Sequence, residues 1–446
     1  MASLTQRPDR RILPAYSNIT FSAQANMLTL FAAHYYRFLW KLKIYKNYHD
    51  GSGGYTDEIH EVNFKVAPNT ADRGIVDVAN VIKDYVATDT RDYASNISIH
   101  NIPKYSRNIG NLVKVEIYLG AEYSETAMST VLSEGPFIEK EYLVFNGCQQ
   151  VEDGLEFNYE PYTLNKTSDS NTGYFLSGFD KSVNRKLRRT DYATIGFFNG
   201  SFQDYDANNN TSKAYNALIK FYNSADVQQG ATITVDNETV NGGATPSAAP
   251  NGDYYGLLYF GVGAKNLTDS GVAVPAATSY YTVYFTGNDG SITSQTYTYE
   301  LQDADCKGYE VIRLAYLNRL GAYDYYNFTK LSRRTTNISR ENYTKNLGTW
   351  QGEEYSYNTF DRARTVLSTS VKETIEANTD YITELEAEGL EELFTSPAVW
   401  MYDDSNQWQA VVVTEESYTK QTTANDMLKQ YIIAIEKSHD KRIQTS

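Results

Sequence analysis

The stretch RLAYLNRLGAYDYYNFTK, residues Arg313–Lys330, decides the fold prediction because it reads as a strand, a turn at Gly321 and a second strand. Aromatic rings beside a turn bury large areas and are enriched where proteins meet. We predict a domain junction here, with part of its surface facing a neighbouring subunit. The candidate interface residues are Tyr316, Arg319, Tyr323, Asp324, Tyr325, Tyr326 and Phe328.

Two of these interface residues are polar. We expect Arg319 and Asp324 to orient the turn by hydrogen bonds. The rings have two other interpretations, packing inside a core and stacking on sugar faces. Core and interface packing is favoured over sugar binding.

Length and composition indicate a large, β-rich protein. The chain has 446 residues, 41% of them hydrophobic, and a single compact domain rarely exceeds about 250–300 residues. Aromatic residues are heavily used, with 39 Tyr and 18 Phe. Tyrosine suits half-buried strands and interfaces, because its ring packs while its hydroxyl stays wet. These numbers predict a β-rich, multi-domain fold.

The charge and the N-terminal sequence exclude two classes of partner. The formal net charge of −15 repels phosphate backbones, so we expect no general nucleic-acid binding. The most apolar early run, residues 25–40, is interrupted by His34 and Arg37 well short of a membrane span. We therefore expect a protein that is made in a cytoplasm and does not insert into a membrane.

The N-terminal third is predicted as an extended arm, residues 1–26, followed by an α+β domain, residues 27–150. Alternating apolar residues in Glu61–Pro68 and Asn111–Ser124 are typical of half-buried strands. Apolar residues at helical spacing in Asp77–Val86 predict a helix. The arm could dock on a neighbouring subunit.

The rest of the chain is divided at residue 330. In residues 151–330, short aromatic or β-branched runs are separated by turn-rich segments, which predicts a central antiparallel β-sandwich or barrel. Residues 331–446 are predicted as a mixed helix and β-hairpin region. Their helix lies within residues 377–394, and their hairpin turns at Asp403–Asn406.

No pattern in the chain predicts catalysis, a cofactor or a metal. The five histidines have no metal-ligand spacing. Cys148 and Cys306 cannot form a disulfide framework, and two reduced thiols are favoured over one bridge. Acidic pairs such as Glu353–Glu354 could serve glycoside hydrolysis in a cleft, but adjacent acids in turns are usually solvated. We predict a protein that is not an enzyme.

A resemblance covers much of the chain in outline. The most specific part is the start Cys306–Tyr309 followed by Leu317–Phe328, which reads Leu-Asn-Arg-Leu-Gly-Ala-Tyr-Asp-Tyr-x-x-Phe. The segments Asp77–Val86, Val115–Tyr123 and Leu390–Met401 occur in a similar order. In these motifs the chain resembles virion structural proteins of tailed bacteriophages, of the tail-, baseplate- or neck-associated kind found in phages of marine bacteria and Bacteroidetes.

The resemblance implies a non-enzymatic role in a virion. We expect a homo-oligomer that connects neighbouring virion proteins and is made in the host cytoplasm. Two alternatives stay open. One is a receptor-recognition protein that binds a host surface glycan, and the other is a glycan-degrading enzyme.

Overall fold

In the computed structural model, the chain is described over most of its length. The described residues are 2–24, 35–48, 55–87, 90, 97–107, 110–124, 132–154, 158–164, 172–199, 214–238, 256–302, 308–350, 352–403, 407–415 and 430–441.

Strands dominate the described residues. In chain order they are β1 Ser3–Gln6, β2 Ile12–Tyr16, β3 Thr20–Gln24, β4 Tyr35–Tyr48, β5 Tyr55–Val66, β6 Arg73–Asp77, β7 Tyr105–Arg107, β8 Leu112–Ser124, β9 Leu132–Cys148, β10 Thr163–Leu164, β11 Arg185–Leu187, β12 Thr194–Asn199, β13 Asn216–Tyr222, β14 Ile233–Asp236, β15 Gly256–Gly261, β16 Tyr280–Thr286, β17 Tyr297–Leu301, β18 Ile312–Leu317, β19 Tyr323–Phe328, β20 Arg333–Thr344, β21 Arg364–Asn378, β22 Val399–Tyr402, β23 Trp408–Val413 and β24 Ile432–Lys437.

Helices in the described residues are short. The α-helices are α1 Ala79–Ile82, α2 Ala264–Asp269 and α3 Glu384–Thr395, and the 3-10 turns are Lys83–Tyr85, Ile99–Asn101, Val151–Asp153 and Glu160–Tyr162. Within the described ranges, no helix combines the length and the apolar character needed to cross a membrane.

The chain divides into two compact units. Unit 1 consists of Met1–Asp303 and Leu317–Asp324, and unit 2 consists of Ala304–Tyr316 and Tyr325–Ser446. This division and the strand content confirm the predicted β-rich, multi-domain fold. The finer boundaries at residues 26, 150 and 330 stay predictions.

Two sheets form the N-terminal part of unit 1. One has the strand order β1-β3-β6 and the other β2-β9-β8-β4-β5. Their apolar faces share a core, in which the ring of Phe21 from β3 lies 5.9 Å from that of Trp40 in β4 and 5.6 Å from that of Tyr142 in β9. The helix predicted in Asp77–Val86 is reduced to α1 and one 3-10 turn, with Ile82 buried in this core.

The segment predicted as an extended arm is extended but pairs within its own chain. β1 and β3 pair antiparallel, and β2 pairs in parallel with β9 from Ile12 to Tyr16. Four of the five β2 residues are buried. Burial of this apolar run supplies the free energy that holds the segment in place.

The central part of unit 1 is a β-sandwich of open sheets. The strand orders are β10-β12-β15-β7 and β11-β17-β16-β13-β14, with a parallel pair at one edge of each sheet. Phe285 from the second sheet joins the two layers, because its ring lies 5.0 Å from Phe197 and 5.5 Å from Phe260 of the first. Within the described ranges no sheet closes into a barrel.

Unit 2 contains most of a seven-stranded sheet with the order β19-β18-β22-β23-β24-β21-β20. β22 and β23 form the predicted hairpin. The predicted helix is α3, which begins with a capping box in which Thr383 and Glu386 satisfy each other's backbone N–H groups. Leu390 and Leu393 form its buried face.

The sandwich core predicts a large effect of deleting one ring. Replacing Phe285 with Ala removes a fully buried ring and leaves a cavity, which is expected to lower the free energy of unfolding by about 3–5 kcal/mol. Urea unfolding of purified protein measures this loss. The matched control is Tyr284→Ala on the same strand, since Tyr284 is half-buried and its loss is expected near about 1 kcal/mol. Equal losses for both variants contradict the ring-filled sandwich.

Candidate functional site

The turn in the Arg313–Lys330 stretch requires glycine. The N–H of Gly321 donates to the carbonyl of Asn318 at 3.0 Å, and the N–H of Asn318 donates to the carbonyl of Ala322 at 2.8 Å. Gly321 has a φ of 77°, and a Cβ there would lie 2.5 Å from the carbonyl oxygen of Asn146. Both the left-handed backbone and the close approach exclude a larger side chain.

Asn318 organises the same turn with its side chain. Its Oδ1 accepts from the backbone N–H groups of Leu320 and Ala322 at 3.0 and 3.1 Å. Its Nδ2 donates to the carbonyl of Leu176 at 3.1 Å and to Oδ2 of Asp324 at 2.8 Å. All of this lies in unit 1, where Asn318 is buried. Asn318 was not predicted as a site residue from the sequence, although asparagine is a frequent turn residue.

Asp324 is buried and hydrogen-bonded, as its predicted role in orienting the turn requires. Besides Asn318, its carboxylate accepts from Ser177 Oγ at 2.6 Å and from the N–H of Gly178 at 2.7 Å. Burial raises the pKa of Asp324 above its ordinary value, while Ser177, the guanidinium of Arg185, Asn318 and Gly178 oppose that rise. The hydrogen bonds tie the turn to residues 177 and 178.

Two of the predicted interface rings are fully buried in different surroundings. Tyr323 belongs to unit 1, where its ring lies 4.8 Å from that of His100 and 5.6 Å from that of Tyr259. Tyr316 belongs to unit 2, where its hydroxyl donates to the carbonyl of Gly389 at 2.9 Å. Both rings are buried within the single chain.

The other three rings lie in unit 2. The ring of Tyr325 lies 6.1 Å from Trp408 and 5.2 Å from the guanidinium of the buried Arg313. Tyr326 and Phe328 meet edge to face at 5.0 Å. Phe328 is buried, whereas Tyr325 and Tyr326 are half-buried.

Arg319 is half-buried in unit 1 and contacts a neighbouring turn. Its Nη1 lies 3.1 Å from Oδ2 of Asp153, and its carbonyl accepts from the N–H of Cys148 at 2.8 Å. Cys306 lies outside the described residues. Contact of a partner subunit with any of the seven predicted interface residues stays a prediction.

A second feature, absent from the sequence analysis, is a long exposed β-hairpin in unit 2. β20 pairs with β21 from Arg333↔Glu376 to Thr344↔Arg364. Of the described strands, β24 flanks β21 only from Thr374 to Asn378. Beyond that point, Ile338–Val371 is a two-stranded ribbon with its connecting tip, which we call the hairpin arm.

The hairpin arm exposes almost its whole surface. Every residue of β20 is exposed, including Ile338 and Tyr343. Isolated two-stranded hairpins are marginally stable in water, and exposed apolar patches usually mark partner surfaces. The arm holds four basic and four acidic residues, whereas the whole chain holds 40 and 55. The arm is therefore neutral and contributes nothing to the net negative charge of the whole chain.

The tip of the arm presents exposed aromatic rings. Trp350 and Phe360 are 68% and 80% exposed. The Trp350 ring lies 5.2 Å from that of Tyr355, and both donate to the carbonyl of Leu347, Nε1 at 2.9 Å and the hydroxyl at 3.2 Å. The left-handed Gly348, with a φ of 83°, permits this turn.

Comparisons with known proteins leave the family open. No protein-family model matches the chain, and no curated protein matches it significantly. A crystal structure of Salmonella alpha-2-macroglobulin reacted with methylamine aligns with 97% of this chain, at 9% identity and a TM-score of 0.19. The alignment covers 23% of that protein, so this chain spans less than a quarter of its length. At that TM-score the similarity carries no argument about fold or function.

Among the described residues, no group of three or more His, Cys, Asp or Glu side chains is placed to hold a metal ion.

We expect the stability of the fold to depend strongly on the side-chain amide of Asn318. Asn318→Ala removes the acceptor of two backbone N–H groups and one hydrogen bond to the buried carboxylate of Asp324, which is expected to lower the free energy of unfolding by about 3 kcal/mol. The control is Asn337→Ala on β20, an exposed residue with one 3.4 Å bond to Thr374, expected to change stability by less than about 0.5 kcal/mol. Chemical denaturation of both variants is the measurement, and equal midpoints contradict the role of Asn318.

We expect the contribution of Asp324 to stability to fall as the pH rises. The pKa of Asp324 in the folded state is raised above the ordinary 3.8. Between pH 3.8 and that folded pKa, the folded state therefore binds more protons than the unfolded state. Its contribution to stability is thus complete below pH 3.8 and is lost as the pH rises through the folded pKa. We expect the stability of wild type relative to Asp324→Asn to be higher near pH 4 than near pH 7.

Thermal midpoints of the two proteins across this pH range test the sign. All other titrating groups are common to both, so they cancel in the difference. A difference that shrinks towards low pH contradicts the raised pKa.

Proposed function

We propose that this protein is a non-enzymatic structural component of a tailed-bacteriophage virion. It assembles as a homo-oligomer in the tail, baseplate or neck and connects neighbouring virion proteins. The motif resemblance around Gly321 motivates the placement in a phage particle. The exposed hairpin arm is the feature of the structure that supports the assembly role.

The arm supports assembly for a physical reason. Its ribbon from Ile338 to Thr344 extends about 20 Å at about 3.3 Å per residue, without a third strand among the described residues. Its exposed side chains include aromatic rings, which carry much of the binding energy in protein interfaces. A partner that covers these rings supplies the burial that the ribbon lacks in a single copy.

Glycan binding is a second candidate function, favoured by the exposed rings of the arm tip. Trp350, Tyr355, Tyr357 and Phe360 are all more than half exposed, and rings of this kind can stack on sugar faces. A glycan array probed with wild type and Trp350→Ala tests this candidate. Binding that the substitution abolishes supports it, and silence with an intact fold counts against it.

Location on a particle is the test of the virion role. An antibody against the recombinant protein is used for immunogold labelling of particles from a phage lysate. Gold at one fixed position on the particle is expected. Gold absent from intact and gently opened particles, despite abundant free protein, overturns the virion role.

We expect removal of the arm to abolish self-association and to leave the fold intact. Residues 341–368 are replaced by Asn-Gly, a two-residue turn suited to joining the paired positions Arg340 and Thr369. The exposed distal arm contributes little to the core, so the thermal midpoint is expected to stay within a few degrees of wild type. Light scattering after size exclusion is expected to show a smaller species. An unchanged oligomer removes the arm from the assembly role.

A further inference from the structure

β20 forms one edge of the seven-stranded sheet of unit 2. It pairs with β21 on one side, and none of the described strands lies on its other side. In an edge strand, alternate backbone N–H and C=O groups point away from the neighbouring strand. The outer edge of β20 therefore offers a row of hydrogen-bonding groups, twelve residues long, on which another strand can pair.

β20 lacks most of the features that prevent edge strands from pairing. Natural edge strands are kept short, or are interrupted by proline or by a bulge. β20 contains no proline, and the irregularity in the ribbon places its extra residue, Leu367, in β21. Charged side chains are the remaining protection, and in β20 they are Arg333, Arg334, Arg340 and Glu341.

Symmetry restricts how β20 can pair with a second copy of itself. In a two-fold antiparallel pair, both copies present the same face of the ribbon, and residues directly opposite each other share a face. One residue therefore lies opposite its own copy, and residues at equal distances on either side of it face each other. The choice of this central residue decides which charges meet across the strands.

Like charges exclude three central residues. With Arg340 or Glu341 at the centre, each of these side chains lies opposite its own copy. With Asn337 at the centre, Arg334 lies opposite the partner's Arg340. Like charges directly opposite each other destabilise a strand pair.

Ser339 is also a poor centre. It sets Arg333 opposite the partner's Lys345, and it sets the exposed Ile338 opposite the partner's Arg340. The first pair repels, and the second leaves the apolar side chain beside a charge. Centres nearer either end of β20 pair fewer residues.

Ile338 at the centre avoids these conflicts over the pairs that run from 333 to 343. Ile338 then lies opposite the partner's Ile338, so two side chains that are 53% exposed in one copy cover each other. The guanidinium of Arg333 lies opposite the exposed ring of the partner's Tyr343, where cation–π attraction favours contact. Arg340 and Glu341 lie opposite the partner's Thr336 and the partner's Thr335.

We propose that the outer edge of β20 pairs antiparallel with β20 of a second copy, centred on Ile338. The inference rests on the homo-oligomeric part of the proposed function and names the surface through which two copies meet. Backbone hydrogen bonds across the two edges join two seven-stranded sheets into one. The contact is isologous and closed, because each β20 edge covers the other.

Cysteine cross-linking of the full chain tests the pairing and its centre. Opposite residues of antiparallel strands have Cα atoms about 4.5–5.5 Å apart, a separation that a disulfide spans. Under mild oxidation, Ile338→Cys is expected to form a dimer linked at residue 338. Wild type, with its native Cys148 and Cys306, is oxidised in parallel as the background.

Matched cysteines elsewhere on β20 check the register. Two copies of Thr336→Cys are expected to lie about 13 Å apart along the strands, too far for a disulfide. The same holds for Arg340→Cys. A mixture of these two variants is expected to cross-link one to the other, because residues 336 and 340 lie opposite each other in the proposed register.

A charge at the centre tests the contribution of the pairing to association. Ile338→Lys sets two lysines opposite each other and is expected to weaken self-association at least about tenfold in sedimentation velocity over a concentration series. The control is Ile432→Lys on β24, an isoleucine that is 58% exposed and lies away from the β20 edge, and it is expected to associate like wild type. Thermal unfolding checks that both variants fold.

The outcomes that overturn the pairing are distinct from those that overturn the proposed function. If wild type self-associates, either equal association of Ile338→Lys or absence of the disulfide at residue 338 rejects the edge pairing and leaves homo-oligomerisation intact. A disulfide dimer of Thr336→Cys without one of Ile338→Cys rejects the centre at Ile338. Wild type that is monomeric at every concentration rejects both the pairing and the homo-oligomer.

Discussion

Asp324 imposes the main constraint on the centre of this chain. A carboxylate withdrawn from water is tolerated only when hydrogen bonds replace its hydration. Ser177, Gly178 and Asn318 supply those bonds, and Asn318 at the same time closes the turn at Gly321. The position of residues 317–324 within unit 1 therefore depends on polar groups from two distant parts of the sequence. The aromatic residues beside them pack around this network.

Aromatic residues serve two different purposes in the two settings where the structure places them. In the sandwich of unit 1 they fill the space between sheets, as the contacts of Phe285 with Phe197 and Phe260 illustrate. On the arm tip in unit 2 they are exposed, and Trp350 donates a hydrogen bond to the carbonyl of Leu347. The same residue type thus contributes stability where it is buried and a contact surface where it is not.

The proposed assembly role rests on the hairpin arm. A two-stranded ribbon without a core gains little stability from the surface that it buries by itself. A partner that covers the ribbon therefore stabilises it more than it would stabilise a strand that is already packed. The arm is electrically neutral within an acidic chain, which reduces the repulsion when copies approach.

The sequence by itself determined the elements that bury one face. Alternation predicted β5 and β8, and the strand–turn–strand reading of Arg313–Lys330 agrees with β18, Gly321 and β19. β20 escaped prediction because a ribbon exposed on both faces has no apolar alternation to detect. The tertiary structure alone decided that Tyr316 is buried and bonded to Gly389, and that Asp324 meets Ser177. Those contacts join residues more than 70 positions apart, a distance over which local sequence patterns carry no information.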